Sequence, residues 1–111
     1  MNGKSVYGEQ RSNKRKLLKV KALLKIDGME TVLGRTLDVA GDGLSLQLDS
    51  AVKPAELGMV GFELFHEGKM TSITARVRAQ HCVLGSGGFK VGFQFVNLDL
   101  GMMAALGRYL K

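Results

Sequence analysis

The chain is poor in the residues that usually announce chemistry: one cysteine, one proline and no tryptophan among 111 residues. A lone thiol, Cys82, closes no internal disulfide and builds no Cys-based zinc site. No apolar run approaches the ~18 residues of a membrane span. The polar start MNGKSVYGEQ lacks the apolar stretch of a signal peptide. The expectation is a soluble protein of the reducing cytoplasm. Aromatics are also few, five Phe and two Tyr, which leaves little for stacking nucleic-acid bases. What is present is a 45% hydrophobic share, too high for a disordered chain, in a length that suits one core rather than two.

The formal charge of +6 is unevenly placed. Residues 1–25 hold eight basic side chains (Lys4, Arg11, Lys14, Arg15, Lys16, Lys19, Lys21, Lys25) against Glu9, a net +7, and the other 86 residues net −1. A concentrated positive field favours an anionic partner, whether nucleotide, nucleic acid or membrane surface, although a solvated basic tail has the same composition.

Residues 1–10 have no apolar periodicity and are expected to be a mobile leading segment. Arg11–Lys16 reads as a polar loop at the start of a domain covering 11–111. From Val20 the pattern alternates: Val20, Ala22, Leu24 and Ile26 on one face, Lys19, Lys21, Leu23 and Lys25 on the other. Asp27-Gly28 is a hairpin signal, and a second strand is expected over Glu30–Leu37. A turn-rich hexapeptide, Asp38–Gly43, leads to a third strand around Leu44, Leu46 and Leu48. Asp49–Gly58, with Pro54, reads as a connecting loop. Further strands are expected over Met59–His66, over 70–84, and around Phe89–Phe95 after the Gly85–Gly88 turn. Six short strands with tight turns predict an all-β antiparallel barrel or sandwich. The period then changes to helical. Leu100, Met103, Ala104, Gly107 and Leu110 share a spacing that predicts a helix over about 98–110, capped by Asn97 or Asp99 and able to close one barrel end. Gly101 and Gly107 each cost about 1 kcal/mol relative to Ala, so packing rather than propensity must hold it.

Two motifs together carry a resemblance. The first is Arg11-Ser12-Asn13-Lys14-Arg15, the second Asp38-Val39-Ala40-Gly41-Asp42-Gly43. With the strand order, the helix and Phe89-Lys90-Val91-Gly92-Phe93-Gln94-Phe95, they resemble the PilZ domain family of cyclic di-GMP receptors, over roughly residues 8–111. That family pairs an RxxxR loop before the first strand with a [D/N]xSxxG turn after the second. Of barrel and sandwich, the resemblance implies the barrel: an all-β, six-stranded antiparallel, PilZ-like split barrel with a C-terminal helix. It further implies a stand-alone, single-domain receptor with no cofactor, whose ligand is cyclic di-GMP. An unidentified effector protein of motility, pilus or exopolysaccharide machinery would read the bound form. The ligand residues it implies are Arg11, Arg15, Asp38, Ala40 and Gly43, with Gln10 as a further contact; Arg78, on the outer face of the fifth strand, is an extra contact by its charge alone. The sequence departs at Ala40, where the family has Ser. One lost neutral hydrogen bond is worth about 0.5–1.5 kcal/mol, up to about tenfold in affinity.

The residue types suit that ligand. An Arg fork matches the O6 and N7 acceptors of guanine and grips phosphate in the same planar way. A carboxylate, here Asp38, accepts from the N1–H and N2–H donors on guanine's other edge. Gly43 lets a turn backbone approach a base. The expected device is a basic leading loop that ligand orders over the barrel rim. Plainer readings compete: Asp38 closing its own turn, Gly41 and Gly43 as positive-φ turn residues, and Arg76 and Arg78 as solvated charge. His66, His81 and Cys82 are too scattered along the strands to read as a metal site. No catalytic triad, carboxylate pair or Walker loop appears, which argues against an enzyme. The competing functions are a small nucleic-acid-binding barrel, disfavoured by the inward Phe, and a ligand-free adaptor of the same fold.

Overall fold

The computed structural model describes residues 14–111. The expected mobile segment 1–10, with Gln10 and Arg11, therefore lies outside the described residues. Seven strands and one helix follow in order: β1 (Lys16–Leu17), β2 (Lys21–Ile26), β3 (Val32–Val39), β4 (Gly43–Leu48), β5 (Leu57–His66), β6 (Lys69–Gly85), β7 (Gly88–Asn97) and α1 (Leu100–Leu110). All pairings are antiparallel, and the order β3-β2-β5-β6-β7-β4 closes on itself through β3–β4 pairing. This is the expected six-stranded barrel, with β1 added beside β3.

Alternation builds the core. Ala22, Leu24 and Ile26 of β2, Val60, Phe62 and Leu64 of β5, and Ile73, Ala75, Val77 and Ala79 of β6 all point inward and are buried. Their neighbours in sequence face out, as a period of two requires. The β5–β6 connection is a two-residue turn with Glu67 at φ 52° and Gly68 at φ 76°. Two successive left-handed residues match the twist of the flanking strands.

The structure departs from the sequence pattern in three places. Arg11–Lys16 was expected as loop, yet Lys16 and Leu17 pair with Val39 and Asp38. The reason is Thr36, fully buried in β3. Its hydroxyl accepts from the Val20 N–H at 2.9 Å and donates to the Leu18 carbonyl, so it satisfies the backbone where the chain bulges between β1 and β2. Second, β3 runs on to Val39 across an irregularity between Thr36 and Asp38, which narrows the expected turn to residues 40–42. Third, the helix buries a different face. Leu100 and Met103 are exposed, while Ala105, Leu106 and Tyr109 are buried and Met102 packs against the core.

The helix position has a backbone cause. β7 pairs with β6 only from Arg76 onward, which leaves residues 69–75 of β6 without β7. There the Thr74 N–H donates to the Met102 sulfur at 3.4 Å. Asp99 caps α1 by accepting from the Met102 N–H at 2.8 Å. The far end is clasped to β1: Tyr109 donates its hydroxyl to the Leu17 carbonyl, and Lys16 donates to the Tyr109 carbonyl, both at 2.9 Å. Among the described residues no helix is long and apolar enough to cross a membrane.

Candidate functional site

The Thr36-stitched bulge sets the site. It carries β1 past the end of β2 and lays it along the last residues of β3. Arg15, one residue before β1, thereby reaches Asp38. Its Nε and Nη2 both donate to Asp38 Oδ1, at 3.1 and 3.0 Å. Among the described residues Asp38 Oδ2 accepts no hydrogen bond, and the pair is open to solvent on the Arg15 side. Two residues 23 apart in sequence are thus held together at the β3–β4 rim.

The turn beside them is tightly tied. The Ala40 N–H donates to the Gly43 carbonyl at 2.8 Å, and the Phe95 N–H donates to the Asp42 carbonyl at 2.9 Å. Ala40 is fully buried, so its methyl is shut away from the rim surface. Neither Gly41 nor Gly43 has a left-handed φ. Gly43 is required for another reason: a Cβ there would lie 2.1 Å from the Phe93 carbonyl oxygen. The missing side chain lets β4 close onto β7.

A pocket of about 180 Å³ opens at this rim, lined by Arg15, Asp42, Gly43, Gln80, His81, Gly92, Phe93 and Gln94. It is smaller than the roughly 300–1,000 Å³ usual for small-molecule sites. A dinucleotide would lie across it rather than inside it. Of the residues singled out from sequence, Arg15 and Gly43 line this pocket and Asp38 holds Arg15. Arg78 stands opposite Gln94 in the β6–β7 register, on the exposed outer face and outside the lining. Gln10 and Arg11 lie outside the described residues.

Sequence reasoning weighed His81 only as a metal ligand, quoted Gln94 only within a strand motif and passed over Gln80, so it placed none of the three at this rim. The ring of His81 lies on Gly92: a Cβ at Gly92 would stand 2.3 to 3.0 Å from three ring atoms. Gln80 donates to the Gln94 side chain at 3.0 Å. Both Gln80 and His81 owe their direction to the register shift between Ala79 and His81. That shift sits where the 49–56 loop takes over the backbone of β6. The Ala79 N–H donates to the Glu56 carbonyl and the Ala55 N–H to the Ala79 carbonyl, each at 2.8 Å. The usable signal in the sequence was Gly92, a small residue in an otherwise bulky strand.

A second arginine–aspartate pair lies elsewhere on the barrel. Arg76, on the outer face of β6, forms a two-pronged pair with Asp27 in the β2–β3 turn, with its Nη1 2.7 Å from Oδ1 and its Nη2 on Oδ2. That contact lowers the Asp27 pKa and raises that of Arg76, chiefly through the hydrogen bonds. A larger cavity, about 710 Å³, lies between the β2–β3 hairpin and the 49–56 loop. Its lining is largely apolar, including Leu24, Ile26, Leu48 and Val52, and it holds none of the residues singled out from sequence. Among the described residues no three His, Cys, Asp or Glu side chains group to hold a metal ion.

The family model of the PilZ domain matches residues 9–111. The chain belongs to the PilZ domain family. No curated protein matches it. Similar solved structures include the Bacillus subtilis inhibitor of motility MotI/DgrA, at TM-score 0.81 and 14% identity, covering 91% of this chain and 49% of that one. Another is Borreliella burgdorferi PlzA in complex with c-di-GMP, at TM-score 0.62 and 16% identity, covering 91% of this chain and 36% of that one. A third is the PilZ domain of Escherichia coli YcgR with c-di-GMP, at TM-score 0.61 and 14% identity, covering 91% and 88%. This PilZ chain therefore spans about half the length of the first and about a third of the second. At these identities the likeness establishes the barrel, and the ligand must be argued from this chain's own rim.

Proposed function

We propose that this PilZ domain is a cyclic di-GMP receptor. Arg15 and Asp38 share one guanine-phosphate half at the rim, and Arg11 and Gln10 complete it from the leading segment. The observation that carries the reading is the Arg15–Asp38 pair, in which both guanidinium nitrogens use one carboxylate oxygen. The other oxygen is left for the N1–H and N2–H donors of a guanine. The unspent guanidinium donors of Arg15 are left for phosphate or the O6/N7 edge. The c-di-GMP complexes of PlzA and of the YcgR PilZ domain support the same ligand class. Residues before Lys14 close over the nucleotide when it binds, and an effector protein reads that bound form. The role is recognition rather than catalysis.

Calorimetry with cyclic di-GMP, GTP and a single-stranded oligonucleotide, each at two salt concentrations, tests this. Heat with the cyclic dinucleotide alone supports the receptor. Binding of the oligonucleotide that weakens steeply with salt would replace it with a nucleic-acid reading. The buried methyl of Ala40, where the family carries a serine, favours a second reading, a ligand-free adaptor. Silence with all three ligands would select it. Closure of the leading segment has its own readout: amides of residues 5–16 gain hydrogen-exchange protection with cyclic di-GMP and not with GTP.

A further inference from the structure

The last third of β6 has an open edge. β5 accompanies β6 only as far as the Leu57–Arg78 pair, and the 49–56 loop adds one further step by bonding both backbone groups of Ala79. From His81 to Gly85, β6 pairs with β7 on one side and, among the described residues, with no strand on the other. Gly85 and Gly88 close the β6–β7 hairpin across a two-residue turn, so their backbone groups face each other. Alternation then turns the N–H and C=O of Val83 and His81 toward β7, and those of Cys82 and Leu84 toward the open side. Among the described residues no loop or turn bonds these four groups. The other stretch of β6 without β7, residues 69–75, meets α1 instead, through the Thr74 N–H and Met102. Exposed edges are usually guarded by charge, proline or a bulge. His81-Cys82-Val83-Leu84-Gly85 holds no acid, lysine, arginine or proline, and the register shift lies before it, between Ala79 and His81. Val83 is 57% and Leu84 70% exposed.

We propose that this edge pairs with the same edge of a second copy of the chain, antiparallel about a twofold axis through Val83. The register follows from the backbone. Setting Cys82 against Leu84 of the second copy, and Leu84 against Cys82 of the second copy, uses all four free groups of each chain. Val83 then stands opposite Val83 of the second copy, a β-branched pair that suits a sheet. No like charges come into facing positions. Lys90, opposite Val83 on β7, lies one strand further in on each copy. The two lysines end three strand spacings apart, about 14 Å, beyond the Debye length of about 8 Å at physiological salt. The 49–56 loop, with Lys53 and Glu56, ends the edge at Ala79 and in this register meets only the uncharged Ser86-Gly87 turn of the second copy. An uncharged edge gives a partner chosen by charge nothing to grip, whereas the twofold lets each copy supply the strand the other lacks. Five residues a side make a small contact, so the dimer belongs with the weak, reversible complexes. The edge exists without nucleotide, so this pairing goes beyond the receptor reading and fails separately from it.

The test is made without nucleotide, by sedimentation and amide hydrogen exchange of the full chain from low micromolar to millimolar concentration. The parent is expected to pass from monomer to dimer. Exchange at Cys82 and Leu84 should slow as it does so, while Val83, already bonded to β7, should change little. Val83→Lys places two like charges on the twofold and should weaken self-association by about tenfold or more. In a Cys82→Ser background, Val83→Cys should cross-link to a dimer under mild oxidation. The facing Cα atoms would be about 4.5 Å apart, inside the roughly 4.4–6.8 Å that a disulfide spans. Leu23→Cys in the same background, on β2, should not cross-link. Val83 and Leu23 are both exposed, so these variants fold. Four outcomes would each overturn the proposal: a chain still monomeric at millimolar concentration, self-association that survives Val83→Lys, equal cross-linking through Leu23→Cys, or Cys82 and Leu84 already protected in the most dilute sample. The last would give the edge to another segment of the same chain.

Discussion

Two arginine–aspartate pairs sit on this barrel, and they differ in what they leave over. Arg76 meets Asp27 with two nitrogens on two oxygens, tying the β2–β3 turn to β6 across β5. Arg15 meets Asp38 with two nitrogens on one oxygen at the mouth of a small pocket. The first pair is chemically complete. The second keeps an acceptor and several donors for something else. The lesson is that an ion pair points to function when its geometry leaves polar capacity unused next to a cavity.

The sharpest way to break this comparison is to remove each acid in turn. Asp38→Ala should weaken cyclic di-GMP by about 1.5–3 kcal/mol, the range for hydrogen bonds to a charged group, read by calorimetry. Asp27→Ala should leave affinity unchanged, and equal losses in both would erase the distinction. Arg15→Ala belongs to the same class, at about 1–3 kcal/mol per lost bidentate contact.

Thr36→Val addresses how the rim pair is placed. It leaves the Leu18 carbonyl and the Val20 N–H without their partner, which should cost about 1–3 kcal/mol in denaturant unfolding. Because β1 depends on that stitch, nucleotide affinity should fall with it. Stability lost at unchanged affinity would show that Arg15 finds Asp38 without β1.

Tyr109→Phe removes one of the two clasps between α1 and β1, for about 1 kcal/mol. It should raise hydrogen exchange at Leu17 and Leu18 while leaving the β5–β6 hairpin protected.

The smallest effect is at the complete pair. Asp27 has a lowered pKa, so its pairing adds stability that is fully present above the ordinary carboxylate value of about 3.9. That stability is lost as pH falls through the lower folded value. The stability difference between the parent and Asp27→Asn should therefore be flat from neutral pH to about pH 5 and shrink below about pH 4. Being exposed, the pair should show only a slight midpoint shift, further reduced by salt.

Much of the barrel was legible because alternation is a local property. Val60, Phe62 and Leu64, or Ile73, Ala75 and Val77, declare an inward face regardless of which strands flank them. The helix shows the limit. Its apolar residues ring most of the cylinder, so spacing alone offered Leu100 and Met103 as readily as Met102 and Leu106. The uncovered edge of β6 and the Tyr109 clasp chose between them. The rim was half legible. Arg15 and Asp38 were found through paired motifs, but His81 and Gln80 reach the pocket only because β6 shifts register at Ala79, and such a shift leaves no period in the chain.

The order of residues determined, by itself, which side chains can be buried, where hairpins form and that a basic leader precedes the barrel. Each depends on near neighbours and on the two-residue repeat of a strand. Tertiary structure decided which charges are satisfied. Lys21 faces Arg35, Arg76 reaches Asp27 and Arg15 reaches Asp38 through strand register and barrel closure. Electrostatic energy depends on distances through space, and those are set only when the sheet has closed.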